Sequence, residues 1–155
     1  MIVLIMSIEN LGNKITTNLF NDKSLYHLKY ILEEYNGIYW LYHINFSQIK
    51  YTRTILYVND VIEIILICWE KGQKSKIHDH PNRGCLLKVL DGSLTENNYN
   101  ENIKFFHSKI LCKNDIGFKE SDKILHSICA NEKTVSLHIY APPNYTPRLY
   151  DENIY

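Results

Sequence analysis

The sequence predicts a mainly β protein, an antiparallel barrel or sandwich preceded by a small helical cap. Three observations carry that prediction. Apolar residues recur at three- and four-residue steps within the first forty positions. From about residue 44 the pattern changes to short alternating or β-branched runs. Turn-forming dipeptides, Asn59-Asp60 and Asp91-Gly92, separate those runs. Helices first and then seven or eight short strands is the order of an antiparallel architecture, not of the strand–helix alternation that builds a parallel sheet.

Taken in order, the opening MIVLIMS is apolar but short and lacks a basic flank. It is read as neither a spanning helix nor a signal peptide, but as a buried N-terminal strand of a cytoplasmic protein. In NDKSLYHLKYILEEYNG, Leu25, Leu28, Ile31, Leu32 and Tyr35 share one helical face, with Asp22 or Ser24 as cap and Gly37 as stop. In KYTRTILYVNDVIEIILICW, Tyr51, Arg53, Ile55 and Tyr57 alternate on one strand face. Asn59-Asp60 then turns the chain into a β-branched run over 61–67. CLLKVLDGSLTENNY reads as strand, Asp91-Gly92 hairpin turn, strand. Further strands are expected near 104–112 and 134–140. The expected organisation is one domain over 1–155: a helical cap at 1–43, a barrel at 44–143 and a C-terminal tail at 144–155.

Seventeen basic side chains balance seventeen acidic ones, so no net charge draws the protein to nucleic acid or to an anionic membrane. The four cysteines, Cys68, Cys85, Cys112 and Cys129, form no CxxC pair, which favours a reducing compartment. The protein is expected to act as a monomer.

Chemistry concentrates in KGQKSKIHDHPNRGCLLKVLDG. Gly72, five residues, His78-x-His80, four residues, Cys85, six residues and Gly92 reproduce the spacing of the first cupin motif, with a cysteine in the glutamate place. Period two puts His78 and His80 on one face of a strand, where both imidazoles converge on a metal while Asp79 points away. Two imidazoles hold a metal loosely, so a third ligand is needed. The candidates are His107, His126 and His138. His126, in DKILHSICA, suits a ligand better than His138. In TVSLHIY, Ser136, His138 and Tyr140 share a face suited to a hydrogen-bonded support for other groups.

IKYTRT, ILICWEKG, IHDH, CLLKVLDGSL and VSLHIYAPP, in that order over about residues 50–143, together resemble the cysteine dioxygenases of the cupin superfamily. The resemblance implies a cupin-type antiparallel β-barrel, the double-stranded jelly roll. It implies one ferrous ion per chain held by His78, His80 and, by position, His126, with coordination positions left for L-cysteine and O2. Arg53 would grip the substrate carboxylate through a guanidinium fork that suits a planar anion. Tyr51 and Tyr140 would also meet the substrate. Cys85, in the glutamate place, would join Tyr140 through a thioether that fixes the phenol beside the metal. Ser136, His138 and Trp69 would support that arrangement. Ala141-Pro142-Pro143 matches a turn that carries a cis peptide in the family. The short segment after Pro143, and Pro147 where some relatives have a further cysteine, imply a more open pocket. The product would be cysteine sulfinic acid. Rival readings are a dioxygenase of 3-mercaptopropionate or another small thiol, a three-histidine zinc site that activates water, and a cupin that binds metal or thiol without catalysis.

Overall fold

The computed structural model describes residues 4–21, 23–121 and 123–151. The chain begins with helix α1 (Ile8–Leu19), a 3₁₀ turn (Leu25–Leu28), helix α2 (Lys29–Glu34) and a second 3₁₀ turn (Tyr39–His43). Ten strands follow: β1 (Thr52–Val58), β2 (Glu63–Trp69), β3 (Ile77–His78), β4 (Cys85–Asp91), β5 (Ser93–Asn100), β6 (Phe105–Cys112), β7 (Ile116–Lys119), β8 (Ile124–Ala130), β9 (Thr134–Tyr140) and β10 (Leu149–Tyr150). Two of them, β3 and β10, are only two residues long, which leaves eight of four or more. They form two antiparallel five-stranded sheets, β1-β2-β9-β4-β7 and β10-β3-β8-β5-β6. This is the double-stranded cupin barrel, with the helices on the outer face of the first sheet. None of the described helices is long and apolar enough to cross a membrane.

The helical cap is more broken than the sequence pattern implies. Leu25, Leu28, Ile31, Leu32 and Tyr35 are buried as expected, but they lie on a 3₁₀ turn and a six-residue helix in succession. Ser24 caps the turn through a hydrogen bond from Tyr26 N; Asp22, the other expected cap, lies outside the described residues. Gly37 is not the stop, since α2 ends at Glu34. The opening segment is not a buried strand where it is described, because Leu4 and Ile5 are exposed and residues 4–7 join no sheet. Instead Ser7 caps α1, which the sequence reading missed. Its Asn, Gly and Thr content is poor for an isolated helix, and tertiary packing overrides that. Ile8, Leu11, Ile15 and Leu19 bury one face, and Gly12 lets the Tyr57 ring approach to where a Cβ would meet it at 2.6 Å.

Two strand expectations change. A register shift between Ile55 and Tyr57 rotates the end of β1, so Tyr57 packs against the helices instead of sharing the face of Arg53. A bulge adds a residue to one strand and reverses the alternation beyond it. Asp91-Gly92 is not a hairpin turn either. β4 pairs with β7 and β9, and β5 with β6 and β8, so Gly92 carries the chain from one sheet to the other at φ +83°. The Asn59 turn holds: its side-chain oxygen accepts from the backbone N–H groups of Val61 and Ile62 at 2.9 Å. β2 is buried along its whole length because both its faces are covered. Ile64, Leu66 and Cys68 meet the helices, while Ile65, Ile67 and Trp69 fill the barrel.

Candidate metal centre

Three imidazoles meet inside the barrel. His78 lies on β3, His80 follows it by two residues, and His126 on β8 is the direct pairing partner of His78. Their ligand atoms all lie within 4.8 Å of one another. The Nε2 of His126 is 3.1 Å from that of His78 and 2.9 Å from that of His80. His107 stands apart, exposed on β6, and His138 belongs to a neighbouring cluster.

The ring tautomers follow from the far sides. His78 Nδ1 donates to the Lys76 carbonyl at 2.8 Å, and His126 Nδ1 donates to Glu96 Oε1 at 2.8 Å. Burial would raise the Glu96 carboxyl, but the His126 hydrogen bond and the Lys119 and Lys109 ammonium groups outweigh it and hold it well below the usual carboxylate range. Each acceptor therefore takes a hydrogen and gives none. Burial, helped by the His126 ring, pushes His78 down to about 3. Burial also takes His80 well below its ordinary value, and it lowers His126 against the opposing pull of Glu96. A neutral imidazole has one N–H, so His78 and His126 face each other with two lone pairs at 3.1 Å. Neither can donate to the other, and a cation between them converts that repulsion into coordination. The residues therefore fit a metal ion. An all-imidazole set without thiolate or carboxylate suits zinc, copper, iron or nickel more than magnesium or calcium.

Beside this cluster, Cys85 on β4 lies directly opposite Tyr140 on β9. Burial pushes the Cys85 thiol up to about 12 and carries the Tyr140 phenol far above its ordinary value, so both keep their protons at neutral pH. The Arg53 guanidinium carbon sits 5.6 Å from the centroid of the Tyr140 ring.

A polar run supports the phenol. The Trp69 indole donates to Ser136 Oγ at 2.9 Å, and Ser136 Oγ is 2.8 Å from His138 Nε2. With the Ser136 hydroxyl donating onward, His138 keeps its hydrogen on Nδ1, which points to the Tyr140 hydroxyl at 3.5 Å. Burial holds His138 well below its ordinary value, hence neutral. Tyr51 stacks on Trp69 with ring centroids 4.3 Å apart. The three imidazoles, Arg53, Cys85 and Tyr140 line one cavity. The Ala141–Pro142 peptide is cis.

Three features went unseen in the sequence. Glu96 and Lys119 stand inside the cavity wall; the available signal was a charged residue sharing a strand face with Leu94. Asp79, only 2% exposed, accepts from Tyr145 Oη at 2.8 Å and Arg148 N at 2.7 Å. It thereby ties down the segment whose strand β10 pairs with β3, and Pro147 and Leu149 of that segment wall a mouth beside Arg53.

Comparison with known proteins accords with this geometry. The model of the family described as cysteine dioxygenase type I matches residues 27–153. Cysteine dioxygenase type 1 from Homo sapiens is 33% identical over 124 residues, 73% of this chain and 62% of that protein. The Rattus norvegicus protein of the same name is 33% identical over 135 residues, 79% and 67% of the two chains. The chain thus spans about two thirds or less of the length of these relatives. Among solved structures, a protein with a double-stranded β-helix domain from Klebsiella pneumoniae superposes with a TM-score of 0.63 at 16% identity, covering 75% of this chain and 97% of that one. A cupin superfamily protein from Desulfitobacterium hafniense gives 0.56 at 15% identity, covering 68% and 90%. At those identities the two structures speak for the fold alone.

Proposed function

The chain belongs to the cysteine dioxygenase type I family, and from that premise we propose that it is a non-haem iron dioxygenase converting L-cysteine and O2 to cysteine sulfinic acid. The observation that carries the reading is the meeting, in one cavity, of the three-imidazole cluster with Arg53 and the Cys85–Tyr140 pair. A hydrolytic zinc site has no use for that pair, and a site for a thiol without a carboxylate has none for Arg53.

His78, His80 and His126 would hold one ferrous ion, which when bound supplies the place where thiol sulfur and dioxygen react. The remaining work belongs to the chain. Arg53, at the mouth, would pair with the substrate carboxylate and orient the molecule sulfur-inward. Three neutral imidazoles leave the cation's charge uncompensated, which favours substrate as the thiolate. The Tyr140 hydroxyl, kept protonated by burial, would donate a hydrogen bond to the substrate as its sulfur is oxidised. The Trp69–Ser136–His138 run holds that hydroxyl in place beforehand, so its orientation is not lost to rotamer freedom. Ile67, Trp69 and Leu87 in the cavity wall keep bulk water out. Both oxygen atoms enter sulfur, and the sulfur supplies all four electrons, so no separate reductant is required.

A thioether between Cys85 and Tyr140 would restrict the phenol further. Its formation removes two hydrogens and uses O2 as oxidant. The test is oxygen uptake by the iron-reconstituted chain offered L-cysteine or 3-mercaptopropionate, against a zinc-loaded control. Sulfinate carrying both labelled oxygens from L-cysteine is the expected result. Uptake with 3-mercaptopropionate alone would overturn L-cysteine as the substrate while leaving a carboxylate for Arg53. No uptake by protein shown to contain iron would overturn the reading. Intact mass before and after turnover reports the thioether as a loss of two hydrogens.

A further inference from the structure

We infer that Glu96 and Lys119 form an ionic bridge between the two sheets that positions His126, so that the metal affinity of the imidazole cluster depends on charges outside it. The inference rests on the reading that these imidazoles hold a metal.

The three rings have unequal support on their far sides. His78 Nδ1 meets the neutral backbone carbonyl of Lys76. His80 Nδ1 is buried and has no hydrogen-bond partner among the described residues. His126 alone is backed by a charge, the Glu96 carboxylate at 2.8 Å. A carboxylate on the far nitrogen fixes ring rotation and tautomer, and it makes the near nitrogen a stronger donor.

Glu96 is 1% exposed, and a carboxylate taken that far from water is not held without compensation. The compensation comes from two directions. Lys109, directly opposite Glu96 on β6, brings its ammonium to 3.3 Å from Oε2. Lys119 arrives from the other sheet. It lies opposite Cys85 on β7, extends across the barrel, and places Nζ 3.1 Å from Oε1, the same oxygen that accepts from His126. Its side chain is mostly buried, unlike that of Lys109. The order across the barrel is thus Lys119, Glu96, His126, metal position. A buried ion pair contributes little net stability compared with apolar residues of the same size. A bridge ending on a ring nitrogen of a candidate ligand has a more specific use. Glu96 and Lys119 are positioning residues in this account, acting through His126.

The experiment measures metal affinity in the full chain by anaerobic chelator competition, with Fe(II) and Co(II) as probes. It compares wild type, E96Q, K119M, K119R and the double variant E96Q/K119M, each checked for native circular dichroism without metal. Loss of Glu96 is expected to weaken binding by about ten- to a hundredfold. K119M should weaken it less, and K119R should restore it. Because Lys119 acts through Glu96, the double variant should bind no more weakly than E96Q. Wild-type affinity in folded E96Q, or losses that multiply in the double variant, would overturn the inference. If E96Q does not fold, equal affinity of K119M and wild type would overturn it alone. No metal binding by the wild type would instead overturn the functional reading beneath it.

Discussion

On one face of β9, Val135, Leu137 and Ile139 pack into the helical cap among leucines and isoleucines of α1, α2 and β2. On the other face, Ser136, His138 and Tyr140 turn into the barrel. Both faces are dry, yet they obey different rules. The helix side is held by apolar area, for which any well-shaped hydrocarbon will serve. The barrel side holds polar atoms away from water, and each there depends on a particular partner. Apolar contacts are non-directional, so that face secures the fold; hydrogen bonds and charges are directional, so the other secures a geometry. Even the barrel divides in this way. Val89, Leu94 and Leu111 belong to its apolar core, and the imidazoles, Glu96 and Tyr140 line its cavity.

The contrast predicts that stability and activity separate by face. The largest effect is expected for H126A, which leaves two imidazoles and strips Glu96 of its partner. Bound iron, measured by elemental analysis, and oxygen uptake should both fall to background, while the helix-side core stays intact. Retained stoichiometric iron would break the contrast. L137A should cost about 2–5 kcal/mol in urea unfolding, with unchanged turnover per folded, metal-loaded molecule. A turnover loss in that variant would show that the two faces are not independent. R53A should leave the unfolding midpoint where it is and raise the half-saturating L-cysteine concentration about ten- to a hundredfold, the worth of one charge-assisted contact. The smallest effect is expected for S136A, which strands the Trp69 indole and His138 Nε2. It should cost about 1–3 kcal/mol of stability and slow turnover through a less ordered Tyr140. Equal stability with unchanged turnover would remove Ser136 from the support of the phenol.

Much of this was legible locally. His78 and His80 come to one cluster as period two implied, although the strand ends at His78. Ser136, His138 and Tyr140 could be grouped for the same reason, and the Asn59 turn carries its own hydrogen bonds. The misreadings share one cause. A bulge in β1 sends Tyr57 to the helices, and Gly92 passes between sheets where a hairpin was expected. Both depend on which strand lies alongside, and residue alternation carries no information about that. Helix α1 was hidden because its stability comes from the sheet it covers and not from its own propensities.

The sequence by itself determined the close-set histidine pair, the Ser136–His138–Tyr140 face and the family resemblance, because these are properties of short stretches. The sequence favoured His126 as the third imidazole, and tertiary structure brings it to the pair, since His126 meets His78 across a sheet. Tertiary structure alone decided that Glu96 stands behind His126, that Lys119 reaches Glu96 from the opposite sheet, and that Asp79 anchors the segment carrying β10. Those contacts join residues 30 to 69 positions apart, at 30 for His126–Glu96, 48 for His126–His78 and 69 for Arg148–Asp79, or, for Lys119 and Glu96, residues on two different sheets. Strand order sets them, and strand order is a property of the closed barrel.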